Sequence, residues 1–125
     1  MKRFITYEFV CGVIGGMLLL GIASVVQAAG DAAAAKENYR ELCAKCHGES
    51  GKGDGPAGAT LATKPADYTD CAHLQTSSDK DLCAVISDGG PARKLSKDMA
   101  PFGDVLEEKD ILDLIAYIRS FCKKP

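Results

Sequence analysis

No stretch of this 125-residue chain alternates apolar and polar residues for long enough to make a half-buried strand, and no segment repeats at a fixed period. Those two absences exclude a sheet-based domain and a solenoid. A third concerns charge. The chain carries 15 Lys and Arg against 17 Asp and Glu, a net charge of −2, and so lacks the basic excess expected of a nucleic-acid surface. Histidine and methionine are scarce as well. There are only two histidines, His47 and His73, and of the three methionines Met1 and Met17 lie in an N-terminal segment that stands apart from the rest.

That segment reads MKRFITYEFVCGVIGGMLLLGIASVVQAAG. Lys2 and Arg3 precede an uncharged apolar run from Phe9 to Val26, and Val26-Gln27-Ala28 places small residues where a signal peptidase needs them. The expectation is an export signal over residues 1–28, cut after Ala28 or, as second choice, Ala29, leaving one domain over residues 29–125. A run of about 18 apolar residues also meets the lower limit for crossing a bilayer, so an uncleaved membrane anchor is the alternative. Gly12, Gly15, Gly16 and Gly21 dilute the run and favour removal. Cys11 follows Glu8-Phe9-Val10, which is not a lipoprotein pattern. Removal takes away two positive charges and one negative, so the remainder is acidic at −3. Either way the domain is expected outside the cytoplasm, where thiols are usually oxidised.

Helical spacing dominates the remainder. Asp31 is a suitable N-cap for AAAAKENYRELCA, in which Ala35, Tyr39, Leu42 and Cys43 share a face. Five glycines and Pro56 make residues 48–58 a loop. A second, shorter helix is expected from Ser78 or Asp79 to the Gly89-Gly90 stop, with Leu82, Val85 and Ile86 inward. From Glu107 to about Phe121 the stripe Ile111, Ile115, Ile118, Cys122, broadened by Leu112 and Leu114, predicts the last helix. The fold class is all-α.

Cys43-Ala-Lys-Cys-His47 is the one local motif that carries chemistry. Two thiols three positions apart near a helix end, followed at once by histidine, are the attachment signature of c-type haem: the thiols take one haem edge and the imidazole reaches the iron. Zinc is the competing reading, with Cys71-x-His73 as the second ligand pair. Zinc sites usually offer two well-spaced pairs, and this second pair is poorly spaced.

In this motif, in Gly48-Glu-Ser-Gly-Lys-Gly-Asp-Gly-Pro56 after it, and in Asp98-Met-Ala-Pro-Phe-Gly103 before a C-terminal helix, the chain resembles the class I c-type cytochromes of bacteria across most of residues 30–121. The resemblance implies N- and C-terminal helices crossing around one covalently attached haem c. The Tyr39/Leu42 face would then meet the Ile115/Ile118 face. It further implies thioether bonds at Cys43 and Cys46, His47 as one axial iron ligand, and Met99, followed by the stiffening Pro101, as the other. Met99 is the only methionine after the export segment; His73 is its competitor. Pro56 resembles the family proline whose carbonyl holds the imidazole. Tyr68, Leu82, Ile86, Leu95 and Phe102 are candidate pocket walls, and Arg93 is a candidate partner for a haem propionate.

A His/Met pair fills both axial positions and raises the potential. The expected function is therefore a periplasmic one-electron carrier, monomeric, not an enzyme, with redox proteins as partners and neither nucleic acid nor a small-molecule substrate. The alternatives are a membrane-anchored cytochrome subunit of an oxidoreductase, with the membrane a partner only if the N-terminal segment is retained, and a haem enzyme with an open axial site. Of the three remaining cysteines, the short loop between Cys71 and Cys83 favours a bridge between those two, with Cys122 free on the apolar stripe.

Overall fold

The computed structural model describes residues 30–122; the expected export segment, its cleavage site and Cys11 lie outside the described residues. Among the described residues there is no strand, and no helix is long and apolar enough to cross a membrane.

The Asp31 carboxylate accepts the backbone N–H groups of Ala33 and Ala34 at 3.1 and 2.9 Å, opening α1 (Ala32–Asn38). The helix then widens into one π-helical turn (Tyr39–Cys43) before a last α-turn, α2 (Ala44–His47). The burial pattern explains the widening. Ala35, Tyr39, Cys43 and His47 are all buried and spaced by four, and at 3.6 residues per turn each step of four would drift by about 40° around a regular helix. The wider turn takes up that drift and keeps all four turned inward. Tyr39 Oη donates to the Gly48 carbonyl at 2.8 Å, which ties the end of α2 back to the start of the π-helical turn.

Beyond the glycine-rich loop, α3 (Cys71–Thr76) starts where Asp70 accepts the His73 N–H. It is absent from the sequence reading, because six residues are too short to display a period. Ser78 and Asp81 form a capping box that starts α4 (Asp79–Asp88), and Glu107 with Asp110 does the same for α5 (Glu108–Ser120). Both starts match expectation; of the residues expected to broaden the α5 stripe, Leu114 is buried, but Leu112 is 50% exposed.

Helices α1 and α4 pack on α5. Ile111, Leu114, Ile115 and Ile118 are buried in one core with Tyr39 and Cys43, each aliphatic side chain contributing about 1.5–3 kcal/mol. The expected crossing is present. Its closest ring contacts fall beside the expected stripe: Tyr39 meets Tyr117 and Phe121 with centroids 5.3 and 5.2 Å apart.

The cysteine pairing differs from expectation. Cys71, at the start of α3, is joined to Cys122, just past α5, with Cα atoms 5.2 Å apart and a sequence separation of 51. The Cys71–Cys83 bridge and the free Cys122 are thereby corrected. Cys83 is turned into the core of α4 at 1% exposure, whereas Cys71 lies where α3 meets the C-terminal end of α5. Arg119 closes the same seam, donating to Asp79 at 2.6 Å and to the carbonyls of Ser77 and Leu74 at 2.7 and 3.3 Å.

Candidate functional site

A cavity of about 600 Å³ opens between the end of α2, the inner side of α4 and the loop before α5, within the size range of small-molecule and cofactor pockets. Cys43, Cys46, His47 and Met99 all line it. So do the five candidate walls Tyr68, Leu82, Ile86, Leu95 and Phe102. Residues 52 positions apart in sequence, His47 and Met99, are thus brought to one space.

His47 is buried, with 8% exposure. Its Nδ1 lies 3.2 Å from the Ala66 carbonyl oxygen. A carbonyl only accepts, so Nδ1 carries the proton and the Nε2 lone pair is the one presented to the cavity. Tyr68 Oη donates to that Nε2 at 3.3 Å. Burial lowers the imidazole pKa below its usual value, against the opposing pull of the Ala66 hydrogen bond. The result is a neutral ring, the form that binds metal. The acceptor is a correction: Pro56 is exposed and belongs to a separate, shallower depression with Arg40 and Lys45. The segment that does supply it, Pro65-Ala66, was legible only as loop.

Cys43 and Cys46 are unpaired thiols. Burial pushes the Cys43 thiol up to about 11, with the neighbouring Cys46 adding to the effect, so it is a protonated, unreactive group until a partner is brought to it.

Met99 stands on the opposite bank, half-buried. Its carbonyl accepts the Gly90 N–H at 2.9 Å and its own N–H donates to Ser96 at 3.2 Å. Gly89 makes this possible: its φ is +84°, and a Cβ there would come within 3.0 Å of the Met99 carbonyl oxygen. His73 also borders the cavity but from the exposed side of α3. Arg93 is paired with Asp81.

The donor set fits haem and not zinc. Among the described residues no three His, Cys, Asp or Glu side chains converge as a metal cluster, and Cys71, the third thiol a zinc site would need, is spent in the disulfide. Two thiols and a neutral imidazole instead share one wall of an apolar cavity, with a thioether in the facing loop.

The cytochrome c family pattern matches residues 32–121. The chain belongs to the cytochrome c family and is a c-type cytochrome. Membership implies covalently bound haem c and an electron-carrier role. Among solved structures it is similar to the c-type cytochrome KustC0563, at 25% identity and a TM-score of 0.58, over 71% of this chain and 98% of that one. It is also similar to a chain of the reducing HAO-like protein complex Kustc0457/Kustc0458 of Kuenenia stuttgartiensis, at 28% identity and a TM-score of 0.56. That match covers 70% of this chain but 41% of the other, so this chain spans less than half of that protein. No curated protein matches the sequence.

Proposed function

We propose that this cytochrome is an exported carrier of single electrons, with one haem attached to Cys43 and Cys46 and its iron held between His47 and Met99. The observation that carries the reading is the convergence of these four side chains, from two separate parts of the chain, on one apolar cavity of about 600 Å³. When bound, the haem supplies a one-electron ferric/ferrous couple.

The protein's own residues account for the rest. The Ala66 carbonyl orients His47 so that Nε2 faces the cavity. Met99, which lines the cavity opposite His47, would hold the iron from the other side, leaving no place there for an exchangeable substrate and arguing for a carrier over an enzyme. Leu82, Ile86 and Phe102 keep water out, and a dry site with a thioether ligand favours a raised potential. Partners would be redox proteins meeting the monomer in short encounters through small interfaces, in the periplasm if residues 1–28 act as an export signal.

A second reading, a subunit or domain of a larger assembly, draws support from the neighbour in the HAO-like complex, where the matching part is a fraction of a longer chain. Intact-mass and optical analysis of the purified native protein tests both. The carrier reading expects one haem that resists acid-acetone extraction, a far-red sulfur-to-iron band in the ferric form, and a mature start near Ala29. Extractable haem or stoichiometric zinc would overturn the site. Retention of Met1–Ala28 would favour the anchored subunit.

A further inference from the structure

Tyr68 is outside the proposed ligand set, yet it is the side chain most closely fitted to His47. Its ring stacks on the imidazole with centroids 4.6 Å apart and planes 15° apart, and it is buried at 9% exposure. Phe121 stacks on its ring in turn at 6.4 Å and 19°, and Tyr39 meets it edge-on at 6.4 Å. The Tyr68 backbone is pinned as well, its N–H donating to the Gly51 carbonyl at 2.6 Å. Gly51 has a φ of +75°, and a Cβ there would come within 3.0 Å of the Phe121 ring, so the three groups meet only with glycine at this position. The Cys71–Cys122 bond then ties the chain three residues past Tyr68 to the residue after Phe121.

An imidazole that binds iron through Nε2 retains one freedom, rotation of its plane about the bond to the metal. A lone hydrogen bond at Nδ1, here 3.2 Å to Ala66, restrains that rotation only loosely. A flat ring pressed against it does so much more firmly. We propose that Tyr68 is a positioning residue: its ring, braced by Phe121 and strapped by the Cys71–Cys122 bond, fixes the plane of the His47 imidazole relative to the haem. This rests on the haem reading above. The hydroxyl is not the working part. It points at Nε2, whose lone pair would go to the iron in the haem protein, so that hydrogen bond would be given up on loading and the proposal rests on the ring stack alone.

The test uses proton NMR of the haem-loaded protein, because the order of the shifted haem-methyl resonances in the ferric state follows the plane of the axial imidazole for as long as the Met99 resonances show the thioether's orientation unchanged. Tyr68→Phe should reproduce the wild-type order. Tyr68→Leu should change it while haem stays covalently attached on a denaturing gel. A wild-type order in the Leu protein, or an equal disturbance in the Phe protein, would overturn the proposal. Should the Leu protein not accumulate, the ferrous wild type decides: ring protons of Tyr68 and His47 must show mutual Overhauser contacts, and their absence refutes the stack. A wild-type protein without covalent haem would sink the earlier reading together with this one, and is recognised before any variant is made.

Discussion

His47 and Met99 face one cavity from segments of very different construction. His47 ends a helix, is buried, and is gripped by the Ala66 carbonyl on one edge and the Tyr68 ring on one face. Behind it stand Tyr39, Tyr117 and Phe121 in mutual contact and a disulfide. Met99 sits in a turn, half-buried, beside Leu95 at 58% exposure. Its loop is sewn to the end of α4 by backbone hydrogen bonds: Gly90 to Met99 at 2.9 Å, Phe102 to Ile86 at 2.9 Å and Gly103 to Ser87 at 3.0 Å. Such bonds contribute about 0.5–1.5 kcal/mol each. One bank therefore rests on core burial and the other on a short seam, and local opening should begin at the seam.

The largest effect is expected on the His47 bank. Cys43→Ser with Cys46→Ser, or His47→Ala, should abolish covalent haem and much of the helical signal with it, because a domain this small depends on filling its cavity. Haem staining of denaturing gels and far-ultraviolet circular dichroism read the two losses. Met99→Ala should instead leave haem attached and helices intact while the far-red sulfur-to-iron band disappears and added cyanide binds quickly. If that protein keeps the band, or His73→Ala removes it, Met99 is not the ligand.

Replacing Cys71 and Cys122 together by Ser should cost about 4 kcal/mol by the chain-entropy rule for a closed loop of this length. Denaturant titration measures it, and the far-red band should persist in native buffer because the strap lies on the other bank. Gly89→Ala forces an alanine into the left-handed region against the Met99 carbonyl, at a cost of about 1–3 kcal/mol. On heating, its far-red band should fade several degrees before its helical signal. Simultaneous loss of both would mean that the two banks open as one unit.

The parts legible in the sequence were those set by local chemistry. Asp31, Ser78 and Glu107 announce helix starts because each cap bonds within its own first turn. The five-residue Cys43–His47 motif announces its wall of the cavity because its two thiols and its imidazole lie within about one helical turn. Met99 was legible from scarcity and from the resemblance. What long-range packing decides was not. Ala66 and Tyr68 come from a loop with no local mark of their contact to His47, 19 and 21 residues away. The disulfide was misassigned because nearness in sequence stood in for nearness in space: Cys71, at the start of α3, meets Cys122, just past α5.

The π-helical turn at Tyr39–Cys43 makes the length of the first helix a matter of phase. Were these same residues to close into a more regular α-helix, each step would turn by about 100°, more than in the wider turn, and both thiols and the imidazole after it would be rotated off the cavity wall. For this segment a tidier helix is a worse protein, so substitutions that force regular α-helix on Tyr39–Cys43 should disturb the site more than point substitutions on the solvent side of α1.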